Sequence, residues 1–314
     1  MFAVTACGGG PKPVAQTTGA ASNTSGVQPA LTNQIGLRSL QWGFIDKTGT
    51  MVIQPQFEDA HQFSEGLAGV KKEGMWGFMD PKGTIVIRPH YDDVTKFMNG
   101  FAAVCISEKW GFIDKEDRRA VGTLFKEVLP FSEHKAAVKP DKIWGYIDEH
   151  GVMLIPVKYD DARSFSEDLA PVKIDDRWGF IDDKGKIVIK PIFLDAYPFK
   201  DFLADVVVEG NKPALVDKGG NISYVDSLHM RKNFSEGLAM FQHGDSWGFV
   251  NEAGDTVIEP QYDAVEQFSE GLACVRLGMK KGFIDKQGNM VIKPQYDNAH
   301  PFSEGFAPVR VVVE

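Results

Sequence analysis

A unit of about 34 residues is written eight times along this chain, and that period constrains the fold more than any other feature. Phe63, Phe97, Phe131, Phe165, Phe199, Phe234, Phe268 and Phe302 recur at gaps of 34, 34, 34, 34, 35, 34 and 34 residues. Most open a segment reading Phe-Ser-Glu-Gly-Leu-Ala or a close variant, as at Phe63 to Ala68 and Phe268 to Ala273. A second marker, Trp-Gly-Phe-Ile-Asp or a close variant, begins at Trp42, Trp76, Trp110, Trp144, Trp178 and Trp247, half a period away. A small module copied in this way buries its apolar face only by stacking on its neighbours. Extended surface, rather than one deep catalytic pocket, is what such a chain offers.

Within one copy the residues read as strands. Leu67 to Lys72 is extended, Glu73-Gly74 turns, and Trp76 to Asp80 alternates large and small with period two. Asp80-Pro81-Lys82-Gly83 is a tight turn, in which Asp caps, Pro presets φ and Gly takes φ > 0. Thr84 to Ile87 is β-branched, and Pro89, with no N–H to give, is expected to stop the ladder. Tyr91-Asp92-Asp93 then leads to the next Phe through a short fourth extended segment. The glycine of Trp-Gly is expected to avoid a collision with a ring packed on the sheet face. The tryptophans are expected to form a seam against the Phe of adjacent copies. Three copies are irregular: the one from Trp110 lacks the glycine turn, and Pro213-Ala214 and Lys281-Gly282 stand where Trp-Gly belongs.

The array is expected over 34–314, with copies beginning near 42, 76, 110, 144, 178, 213, 247 and 281. Residues 7–33 are rich in Gly, Ser, Thr, Ala and Pro and read as a flexible tether. Val4-Thr5-Ala6-Cys7 resembles a bacterial lipobox, with Cys7 the expected site of lipidation and residues 1–6 the remnant of a signal segment. Cys105 and Cys274 fall in strands among small apolar residues and are expected as core thiols. The net charge of −9 argues against nucleic acid or an anionic membrane surface as partner. A membrane is expected to be met only through the lipid.

No nucleophile, P-loop, dinucleotide or metalloprotease signature is present in the sequence, so no catalytic residue, metal or cofactor is expected. The repeated Asp46, Asp80, Asp114, Asp148, Asp182, Asp217 and Asp285 read as turn caps rather than calcium ligands, which would need six to eight oxygens. Glu65, Glu133, Glu167, Glu236, Glu270 and Glu304 read as turn stabilisers forming an acidic stripe. His61 and His300 share one slot, two residues before Phe63 and Phe302. They are expected as surface loop side chains, although a closed ring would make them neighbours and a zinc or pH-sensing site conceivable.

Trp-Gly-Phe-Ile-Asp-Lys-x-Gly, Val-Ile-x-Pro-x-Tyr-Asp and Phe-Ser-Glu-Gly-Leu-Ala-x-Val together resemble the WG (KWG) repeats of bacterial proteins. Lys286-Gln287-Gly288 and Pro294 to Asp297 fit as well as Lys47-Thr48-Gly49 and Pro55 to Glu58. The resemblance implies an all-β repeat protein, often secreted or associated with the cell envelope, with no shared catalytic residues. The expected fold is an open, β-solenoid-like array of eight meanders, because 34 residues is short for a propeller blade; the alternative is a closed eight-bladed β-propeller.

The expected function is non-enzymatic binding or scaffolding at the bacterial envelope, toward a protein or a cell-wall or surface polysaccharide. Three rivals stand beside it. One is a glycan-binding module that stacks sugars on exposed Trp42, Trp76, Trp110, Trp144, Trp178 and Trp247. Another is a cytoplasmic partner-binding protein, and the third a hydrolase built at the irregular copies from Trp110 and Pro213.

Overall fold

The computed structural model describes residues 39–224 and 234–313. Cys7, the tether and residues 225–233 lie outside the described residues. Every described element is a strand. They form eight antiparallel sheets, seven of four strands and one of three. Blade 1 runs from Asp59 to Tyr91, and each later blade repeats it: Asp93 to Phe125, Glu127 to Tyr159, Asp161 to Phe193, Asp195 to Tyr224, Leu238 to Tyr262 and Ala264 to Tyr296. Blade 8 is composite. Its strands Asn298–Ala299 and Phe306–Val313 come from the chain end, and Ser39–Asp46 and Met51–Phe57 from its start.

That composite sheet decides between the two expected arrangements. Ser39 to Asp46 pairs with Phe306 to Val313 without a break in register, Ser39 opposite Val313 and Asp46 opposite Phe306. An open stack holds its first and last units far apart. Here they share one ladder, so the all-β repeat array takes its closed form, an eight-bladed propeller, and not the open one. A ring satisfies both end units, which a stack would leave as exposed edges.

Each blade uses its residues as the period-two reading requires, with two corrections. The outer strand does not stop at proline. Ile85–Tyr91 runs through Pro89 and still pairs Tyr91 with Trp76 across a bulge. Being the blade's edge strand, it has no outer partner to miss the N–H. The Trp-Gly glycine also avoids something other than a ring. A Cβ on Gly77 would lie 2.4 Å from the Ile87 carbonyl oxygen and 2.6 Å from the Pro89 nitrogen, backbone of its own blade. The same close approach recurs at Gly43, Gly179, Gly248 and Gly282. It is the bulge that brings the outer strand so near.

Between blades the seam is made by phenylalanine. The third residue of each Trp-Gly-Phe meets the marker Phe of the following blade. Phe78–Phe97, Phe112–Phe131, Tyr146–Phe165, Phe180–Phe199, Phe249–Phe268 and Phe283–Phe302 have ring centroids 4.6 to 5.0 Å apart, all tilted or edge-on. Phe44–Phe63, at 5.2 Å, does the same across the junction of blades 8 and 1. Such pairs each contribute about 0.5–1.5 kcal/mol beyond the area they bury. Tryptophan is therefore not the inter-copy seam.

Candidate functional site

The repeated polar residues are consumed in joining blades. Ser64 Oγ donates to the Phe97 carbonyl of the next blade at 2.7 Å. Ser132, Ser166, Ser235 and Ser269 do likewise toward Phe165, Phe199, Phe268 and Phe302. Ser303 closes the circle onto Phe63 at 2.7 Å. Where Met98 replaces the serine, Asn99 Nδ2 reaches the Phe131 carbonyl instead.

The glutamates stabilise turns, but those of the following blade. Glu65 accepts the Gly100 N–H at 3.0 Å and an ion pair from Lys115 at 3.2 Å. Glu270 accepts from Gly305 and Lys47, Glu236 from Gly271 and Lys286, and Glu304 from Gly66. Burial acts to raise the Glu270 carboxyl. The Lys47 ammonium and the Gly305 and Glu304 N–H groups outweigh it and hold the group below its ordinary value. The aspartates cap as expected: Asp80 Oδ1 takes the N–H groups of Lys82 and Thr84 at 3.0 and 2.8 Å. Among the described residues no group of three or more His, Cys, Asp or Glu is placed to hold a metal.

Trp42, Trp76, Trp110, Trp144 and Trp178 are all 5% exposed or less. Trp247 is half-buried. The five enclosed rings offer no face to a sugar, which corrects the expectation of a stacking row at those five positions. Three of these rings are covered by the residue two before the marker Phe of their own blade. His300 lies parallel to Trp42, centroids 4.9 Å apart and planes 5° apart. His61 sits 4.4 Å from Trp76, and the Arg163 guanidinium 4.5 Å from Trp178. Where Lys281 replaces Trp, Glu266 occupies the covering slot and pairs with it at 2.7 Å. The two histidines are thus half-buried wall residues rather than surface loop side chains. Cys274 is a free thiol in the core, and burial pushes it up to about 12. Cys105 is fully buried.

Three blades replace the glycine of the Ser-Glu-Gly turn, with His134, Asp168 and Phe202, and of these only Phe202 is apolar. The Ser-Glu-Gly turn needs φ > 0 at both central residues, as at Glu65 (φ 54°) and Gly66 (φ 86°), which is why glycine suits the second position. In blade 5 that position is Phe202, at φ 67° and 75% exposed. A bulky residue in the left-handed region is an outlier. Its backbone N–H is held by both Glu167 carboxylate oxygens, at 3.2 and 3.1 Å, and the Lys218 ammonium lies 5.8 Å from its ring. Sequence reasoning passed over it, although Phe199-Lys200-Asp201-Phe202 set against Phe-Ser-Glu-Gly carried the signal. Phe202→Gly restores the turn's usual residue and removes strain of order 1–2 kcal/mol. The expected outcome is a melting temperature raised by a few degrees, read by calorimetry, as about 1 kcal/mol gives in a chain of this size.

These features define a closed β-repeat ring whose repeated residues serve blade-to-blade contact. The model of the WG containing repeat matches residues 42–76, 76–110, 144–178, 178–211, 247–280 and 282–311. The chain belongs to the WG containing repeat family. The unmatched stretches hold the irregular copies from Trp110 and Pro213. No curated protein matches the chain. Among solved structures it is similar to the computationally designed Ika8 protein at 12% identity and TM-score 0.48, covering 81% of this chain and 98% of that one. It is also similar to BamB from Moraxella catarrhalis at 8% identity and TM-score 0.46, covering 85% and 91%. A eukaryotic initiation factor gives 12%, 0.46, 77% and 79%. These likenesses are weak, and the architecture rests on the strand pairing itself.

Proposed function

We propose that this chain is a non-enzymatic binding scaffold of the bacterial cell envelope, tethered by lipid at Cys7 and presenting its ring to a protein partner. The observation that carries the binding role is Phe202. Residues that break a local rule at a stability cost mark sites kept for another reason. An exposed aromatic with few rotatable bonds, its backbone already fixed by Glu167, loses little entropy when a partner covers it. The envelope part is supported by Val4 to Cys7 and the Gly/Ser-rich stretch behind it.

Two measurements test the reading. Metabolic labelling with palmitate is expected to mark the wild type and not Cys7→Ala. An unlabelled full-length wild type removes the envelope argument and favours a cytoplasmic partner-binding protein. Proteins drawn from envelope extracts are then identified, purified and titrated against the ring. Phe202→Gly is expected to weaken the true partner's affinity about 30-fold, the loss of ~2 kcal/mol that defines a hot spot. Equal affinity for the variant ends the assignment of Phe202. A polysaccharide that binds and depends on Phe202 in the same way points to the glycan instead.

A further inference from the structure

Of eight copies, only the first and last carry histidine in the slot that covers the tryptophan, and ring closure makes those copies adjacent. His61 belongs to blade 1 and His300 to the composite blade 8, at the one junction where the two ends of the chain meet. Three further links cross it. Gln62 Nε2 donates to the Pro301 carbonyl at 2.7 Å, Ser303 Oγ to that of Phe63 at 2.7 Å, and the Gly66 N–H to Glu304 at 2.9 Å. Phe63 is wedged between Phe44 and Phe306, both 5.2 Å away. Each histidine lies against a tryptophan that is itself almost wholly enclosed, so an added charge there has little water to solvate it.

We propose that the junction of blades 8 and 1 is an acid-sensitive latch: protonation of His61 and His300 loosens this junction while the others hold. The charges facing the pair are mixed. Asp59 favours protonation of both and Glu266 favours that of His300, whereas Lys281 opposes it at His300 and His300 opposes it at His61. The Lys71 ammonium and Arg310 guanidinium already lie over Trp76 and Trp42, 5.9 and 5.8 Å from the ring centres. Burial outweighs the two carboxylates. It pulls His61 down to about 4 from an ordinary 6.5 and lowers His300 as well.

The sign follows from linkage. Well above pH 6.5 both histidines are neutral whether the junction is open or closed, and the latch is at full strength. Below it the opened form takes up protons that the closed form refuses, so opening becomes easier as pH falls toward 4. If His61 alone regains its ordinary value on opening, the open population rises roughly 10- to 30-fold between pH 7.5 and 5. The interval above pH 5 lies clear of the ordinary carboxylate range, so the glutamates that join most blades contribute little to it.

The test is native-state hydrogen exchange at pH 7.5 and 5, corrected for intrinsic rates and read on peptides covering 58–67 and 298–307. Peptides covering 92–101 and 126–135 report equivalent junctions without histidine in the slot. Protection is expected to fall at least ~10-fold more at the latch than at the controls. His61→Leu with His300→Leu is expected to abolish that excess, since Leu129 fills the same slot against Trp144 in blade 3. The pair His61→Thr with His300→Thr, which copies Thr95 of blade 2, gives the same reading should the leucines misfold. The proposal is overturned if protection falls equally at every junction, or if both double variants keep the wild-type excess.

Discussion

A chain cut back to Phe302 is expected to lose cooperative folding altogether, not merely the stability of one unit. In an open stack, removing a terminal half-copy costs that half-copy and its single interface. In this ring the segment from Ser303 to Val313 does several things at once. It pairs residue for residue with Ser39 to Asp46, supplies Phe306 against Phe63, and provides the serine and glutamate that bind blade 1. Its loss also strips the partner from one side of Trp42, Phe44 and Ile45, all buried. The contacts removed exceed the ~5–15 kcal/mol that separates a folded domain from its unfolded chain. The check is urea unfolding followed by tryptophan fluorescence. The full ring is expected to give one sigmoidal transition, and the shortened chain a broad, low-amplitude change. A shortened chain that keeps a sharp transition with most of its midpoint means that the blades are stable without closure.

The repeat made the all-β architecture legible, because markers half a period apart could only be strands and turns of one small sheet. Asp80, Pro81 and Gly83 announced their turn, and the Thr84 to Ile87 run its strand, through local chemistry alone. Closure was less legible. Whether 34 residues make an open meander or a propeller blade depends on a two-residue inner strand such as Asp59–Ala60, too short to leave a pattern in sequence. The roles of the markers were misread for a related reason. Trp76 and Phe78 both point to a core, and only three-dimensional placement shows that Phe78 meets the next blade while Trp76 is covered within its own. The pairing of Glu266 with Lys281 was not legible, because the slot of Glu266 holds a different kind of residue in most copies and nothing in the sequence says that it touches the slot where Lys281 replaces tryptophan.

What distinguishes one blade from another is therefore where function has room to act. Ser, Glu, Phe, Trp and Gly at their repeated positions are committed to the ring, and substitution there reads as folding. Phe202, the slot that holds His61, Thr95, Leu129, Arg163 and Tyr197, and the surfaces of irregular blades are free of that commitment. Arg163 illustrates the difference. It stacks between Trp178 and Tyr197 and binds Asp195 of the following blade at 2.8 Å, a local solution specific to this blade among the described residues.

Gly77→Ala is expected to destabilise the ring by more than ~3 kcal/mol, a large loss for one methyl group. Most glycine substitutions act through backbone freedom and cost of order 1 kcal/mol. Gly77 is different because its φ is ordinary and its space is not. The new carbon would sit 2.4 Å from a carbonyl oxygen and 2.6 Å from a proline nitrogen, and neither can swing aside as a side chain would. Relief demands that Ile85–Tyr91 move outward, which breaks the bulged pairing of Trp76 with Tyr91 and of Phe78 with Ile87. Ile87 and Tyr91 are buried, and Phe78 holds the next blade, so the disturbance passes to the inter-blade contact. Gly122→Ala is the matched control. Its added carbon would meet only the Leu124 side chain, at 3.8 Å, and its φ is not positive, so the expected change is between none and a slight gain. Urea midpoints of both variants, with m-values compared, decide the matter. Similar losses for the two would mean that glycine is needed for flexibility rather than for the closeness of the outer strand.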